Sequence, residues 1–195
     1  HRSMQVVFDR SWHRLTGREQ QVLSQLSVFR GGFDRQAAEQ VAGASLSLLS
    51  TLVNRTLLRR VTAGRYQLHA LVRQYCAAHL AAAPEAQAMA QRRHYDFYLA
   101  LAEAARDRIR GPEQGQWLAR LERDHDNIRA ALAWSTHPAR HAAGLGLRLC
   151  AALAHFWDMH GHAGEGRRWL QAALDLPPPA STITGPDAGP AAESY

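Results

Sequence analysis

Residues 58–80, "LRRVTAGRYQLHALVRQYCAAHL", decide the fold, because the spacing of apolar residues changes within them. Leu58 to Thr62 and Arg65 to Leu68 flank Ala63-Gly64, a modest signal for a β-hairpin. From Leu68 the apolar positions fall at helical intervals through Leu71, Val72, Tyr75, Cys76, His79 and Leu80. A short hairpin therefore runs straight into an amphipathic helix, with His69 at the junction. Leu68 points to the core, so His69 turns off the apolar face and shares a face with Arg73 one turn later.

Upstream, the periodicity predicts four helices. Met4, Val7, Phe8, Trp12 and Leu15 give the first. Thr16-Gly17-Arg18-Glu19 has the form of a capping box that opens a second through Val22, Leu23, Leu26 and Phe29. Gly31-Gly32 breaks it. Asp34 caps a short third helix through Ala38 and Val41, which Gly43 ends. Ser45 caps the fourth, with Leu48, Leu49, Leu52, Val53 and Leu57 as its stripe. Helices, a hairpin and a further helix form the order of a winged helix, here over residues 1–82.

From Pro84 to Leu176 the spacing predicts only helices. One passes through Met89, Tyr95, Tyr98, Leu99 and Ala102. Another starts near Gly111-Pro112 and continues unbroken through Trp117, Leu118, Leu121, Ile128, Ala131 and Leu132. Two more span about Gly144 to Met159 and Glu165 to Leu176. Leu153, Ala154, Trp157, Gly161, Gly166, Leu170, Ala173 and Pro178 fit a tetratricopeptide frame, although Gly166 stands where alanine is usual. The expected fold is mainly α: a winged helix, then a tetratricopeptide-like helical domain over residues 83–178. Residues 179–195, rich in proline, glycine and small polar residues, are expected to be a disordered tail or linker.

Composition excludes several chemistries. All 23 basic residues are arginine, against 17 acidic ones, so no P-loop lysine and no Schiff-base lysine exists in the chain. No Gly-x-Ser-x-Gly elbow or Cys/His signature is present, and no catalysis is expected. His137 and His141 have i,i+4 spacing, but Pro138 lies between them and no further ligand is near in sequence, so no metal site is expected. His155, His160 and His162 surround a helix end. Cys76 and Cys150 sit in apolar helical patterns, which suits a reducing cytoplasmic interior. No signal peptide and no apolar run of membrane-spanning length is visible. The chain starts at His1 without methionine and reads as a piece of a longer protein.

The segments "SWHRLTGREQQVLSQLSVFRGGFDRQAAEQVAG", "LVNRTLLRR", "GRYQLHALVRQYCAAHL", "WLARLERDHDNIRAALAW" and "GHAGEGRRWLQAAL" occur in that order. Together they resemble the region after the nucleotide-binding domain of bacterial STAND-type, NB-ARC-like signalling ATPases, including large LuxR-type and SARP-type transcriptional regulators. The resemblance implies that ADP or ATP binds a neighbouring domain of the same polypeptide, with no cofactor held by this chain alone. It also implies that the helical domain meets protein partners or signals. In that superfamily the winged helix ends in Met-His-Asp, whose histidine contacts the ADP β-phosphate. Leu68, His69 and Ala70 match it, so the histidine is kept and the acid is not. His69 and Arg73 are thus the candidate nucleotide-phosphate contacts.

The rival reading is a DNA-binding winged helix. The recognition helix would span Ser45 to Leu58 and present Ser47, Ser50, Thr51 and Asn54, a polar but nearly uncharged face. Arg55, Arg59, Arg60 and Arg65 cluster at its end and on the wing, where they could meet a phosphate backbone. On this balance, DNA binding by the segment is the less expected function.

Overall fold

In a computed structural model, residues 9–62, 64–140 and 143–177 are described. Residues 9–13 are helical, and the expected first helix stops short of Leu15, with Arg14 and Leu15 in a turn; its residues before 9 lie outside the described residues, as do His141, Pro178 and the expected tail.

Local signals set the helix starts. In α1 (Gly17–Leu26) the Thr16 hydroxyl accepts the Glu19 amide, and the Glu19 carboxylate accepts the Thr16 amide at 2.7 Å. Asp34 caps α2 (Arg35–Ala42) by accepting the Ala37 amide at 2.8 Å, and Gly43 ends it at φ 62°, a left-handed conformation that glycine adopts without strain. Ser45 caps α3 (Leu46–Asn54) through the Leu48 amide. Two helices end earlier than expected. Phe29 lies beyond α1 and Leu57 beyond α3, yet both are buried; loop residues carry these core positions, so apolar spacing outran the helices.

The hairpin matches its expected bounds, β2 (Leu58–Thr62) and β3 (Arg65–Leu68). It is joined by an additional strand, β1 (Phe33–Asp34), which pairs antiparallel with β3 in the register Phe33 to Tyr66 and Asp34 to Arg65. The sheet order is β1-β3-β2. Next come α4 (Ala70–Ala81) and the 25-residue α5 (Pro84–Arg108).

The single helix expected from Gly111 to Leu132 is two helices, α6 (Gln114–Arg123) and α7 (His125–Ser135), broken at Asp124. Asp124 is buried and its carboxylate is 2.9 Å from the Arg65 guanidinium. That long-range pairing explains a break that apolar periodicity conceals. A short 3₁₀ turn (Pro138–Arg140), α8 (Ala143–Met159) and α9 (Ala163–Leu174) complete the described elements.

One apolar cluster runs through both halves. α5 packs on α2 and α4 on one side and on α7 and α8 on the other. Phe29 stacks on Phe33, and the His94 and Tyr98 rings of α5 lie edge-on to Phe29. Arg30 donates its backbone N–H to Asn127 Oδ1 at 2.8 Å, and Asn127 Nδ2 donates to the Gly32 carbonyl at 3.0 Å.

The α8–α9 pair explains Gly166. A Cβ at that position would lie 2.6 Å from Cε3 of the buried Trp157 ring. The indole occupies the space an alanine methyl needs. Ala154, placed by spacing in the same small-residue set, is exposed. Gly166→Ala is expected to destabilise the chain by about 1–3 kcal/mol through overpacking, read as a lower denaturant midpoint with an unchanged slope.

Candidate functional site

His69 is the N-cap of α4, with extended backbone, and its Nδ1 accepts the Leu71 amide at a long 3.4 Å. An accepting Nδ1 places the proton of the neutral ring on Nε2. The exposed imidazole therefore offers a donor, and the first-turn amides of a 12-residue helix add partial positive charge beside it.

The ring borders an open groove of about 380 Å³, lined among others by Arg30, Arg59, His69 and Arg73. No ion pair neutralises Arg30 or Arg73 among the described residues. Partial burial and the nearby Arg73 charge both lower the Arg30 pKa, as expected of two guanidinium groups facing one space without a counter-ion. Arg59 donates from Nε and Nη2 to the Gln67 side-chain Oε1, at 3.2 and 2.6 Å, across the hairpin. Three arginines and a donor-bearing imidazole facing one groove suit a phosphate-like anion.

Sequence spacing finds His69 and Arg73 but not Arg30. Arg30 reaches the groove only because β1 draws the Arg30–Gly31 loop against β3, a tertiary event without local signature. The doublet Gly31-Gly32 marks the turn but not its destination.

The candidate nucleic-acid residues separate in space. Asn54 and Arg60 are exposed. Arg55 donates to the Arg14 carbonyl at 3.0 Å and lies 3.5 Å from the buried Glu19 carboxylate. Arg65, which the sequence groups with the wing, turns inward instead: it donates to the Gly32 carbonyl and pairs with Asp124, and its side chain is only 11% exposed. It is a strut between the two halves. On the expected recognition helix, the Ser50 and Thr51 hydroxyls bond back to the Leu46 and Ser47 carbonyls, and Leu46 is an exposed apolar residue at its start.

Comparison with known protein families matches residues 15–81 to the winged helix-turn-helix domain. Residues 15–81 are a winged helix. It comprises α1 to α4 and the three-stranded sheet, and the His69 groove opens on its surface, at the start of its last helix. Two proteins named as HTH-type transcriptional regulators, from Mycobacterium bovis and Mycobacterium tuberculosis strain H37Rv, are each 32% identical over 183 residues. The match covers 89% of this chain and 20% of each relative, so the chain spans about a fifth of their length. No solved structure matches the chain significantly. Among the described residues no helix is long and apolar enough to cross a membrane.

Proposed function

We propose that this chain is the non-catalytic regulatory segment of a larger STAND-type transcriptional regulator, in which the winged helix senses ADP held by an adjacent nucleotide-binding domain. The observation that carries this reading is the groove of His69, Arg30 and Arg73, cationic and, among the described residues, without an ion pair to either arginine. In the intact protein the β-phosphate would enter the groove, and ADP would bridge the two domains in the resting state. Exchange to ATP would release the winged helix, because a ligand shifts an equilibrium only by its differential affinity for the two states. The tetratricopeptide-like half would receive the signal or a protein partner.

In the full-length protein, His69→Ala and Arg73→Ala are each expected to speed ADP release about tenfold, the worth of one hydrogen bond to a charged group, and to raise basal output. ADP exchange at the wild-type rate in both variants would sink the proposal.

A second reading is direct DNA binding. It draws on the exposed Asn54 and Arg60 and on the names of the relatives. A gel shift across a salt series separates the two: sequence-selective binding at physiological salt, weakened by Arg60→Ala, favours DNA.

A further inference from the structure

Within the helical half, three histidines converge on one carboxylate. Glu122 closes α6. His160 and His162 flank Gly161 in the turn between α8 and α9, and Gly161 has φ 73°, a left-handed conformation that turns the chain between the two imidazoles. Glu122 Oε2 lies 3.2 Å from His162 Nε2 and 3.6 Å from His160 Nδ1. The three ligand atoms all lie within 4.8 Å of one another. His125 Nδ1 is 4.0 Å from the same oxygen, and its ring packs against those of His162 and Phe156.

Neighbouring charges leave Glu122 to the imidazoles. Arg129 is committed to Glu165 by two 2.8 Å hydrogen bonds, and Trp169 donates to the same carboxylate. Neutral imidazole nitrogens and a carboxylate facing one point present lone pairs to each other unless a proton or a metal ion lies between them.

We propose that Glu122, His160 and His162 bind a divalent transition-metal ion of the zinc class. Tetrahedral ligands at about 2.0–2.1 Å from zinc stand about 3.4 Å apart, a spacing that the 3.2 and 3.6 Å contacts to Glu122 bracket. Two imidazoles and one carboxylate are an established zinc donor set, and they leave a fourth position for water. His125 is the packing wedge that holds the His162 ring, a supporting role outside the ligand set. The ion would tie the end of α6 to the α8–α9 turn, 40 residues apart in sequence, and so clamp the helical half.

The test uses the purified 195-residue chain without an affinity tag. Calorimetric titration with Zn²⁺ is expected to give one site per chain and a raised Tm, while Mg²⁺ gives neither. Co²⁺ is expected to give the intense visible bands of a four-coordinate site. His160→Gln with His162→Gln, and separately Glu122→Gln, should each weaken Zn²⁺ binding at least tenfold and remove the cobalt bands. His155→Gln, one helical turn before the site, should change neither. Melting of the apo variants distinguishes loss of ligands from loss of fold. Zinc affinity unchanged in the double variant with its fold intact, or a chain whose Tm responds to acid but not to Zn²⁺, would overturn the proposal.

Discussion

Asp124→Ala is expected to destabilise the chain by about 3–5 kcal/mol, the range for removing one partner of a buried ion pair. The Asp124 and Arg65 side chains are 5% and 11% exposed, with 2.9 Å between their charged atoms. Truncation leaves the guanidinium with the Gly32 carbonyl and, among the described residues, no direct ion-pair partner. The pair itself is not a large net gain. Burial raises the Asp124 pKa, while the Arg65 hydrogen bond and charge pull it down, so much of the Coulombic attraction offsets desolvation. Replacing both residues, as Arg65→Met with Asp124→Leu, should therefore cost less than Asp124→Ala alone. Chemical denaturation measures both variants against the wild type. A loss below about 1 kcal/mol for Asp124→Ala would show that water reaches Arg65 and the strut carries little.

Acid is expected to weaken the fold before most carboxylates titrate. His94 lies on α5 between the Phe29 and Tyr98 rings, and burial lowers its pKa from 6.5 to about 4, with Asn127 acting the other way and the Arg30 charge adding to the depression. The folded state thus takes up the proton less readily than the unfolded state. The stability from a neutral His94 is fully present above pH 6.5 and is lost as pH falls toward 4. Integrated over that interval the loss is about 3 kcal/mol. A second acid-labile group follows. Glu165, held down to about 2 chiefly by Arg129, gives stability that is present above its ordinary value of 4.5 and lost toward 2. His94→Phe keeps a ring among the aromatics but cannot titrate, so it should flatten the dependence between pH 6.5 and 4. Equal slopes for wild type and variant in that interval would show that His94 is not its source.

Features set by neighbours in sequence were legible without a structure. Thr16, Asp34, Gly43 and Ser45 act on amides or carbonyls within four residues, and the hairpin bounds follow from a change of period. Features that depend on distant partners were not. β1 is two residues long, too short for alternation, and exists because Tyr66 and Arg65 lie opposite it. The break at Asp124 answers to Arg65, 59 residues away. Of the groove, His69 and Arg73 could be read from a helical turn, whereas Arg30 arrives through sheet pairing. The metal cluster was hidden for the same reason: His160 and His162 read as a helix end until α6 brings Glu122 to them.

The grip of Asn127 on the Arg30–Gly32 loop has a mechanical consequence. One wall of the His69 groove is held in place from outside the winged helix, by a side chain 97 residues further along the chain. A winged helix cut at residue 82 would keep every residue that lines the groove and lose the clasp that sets its width. The same clasp couples α7 to the groove: a tilt of α7 would pull on the loop that carries Arg30.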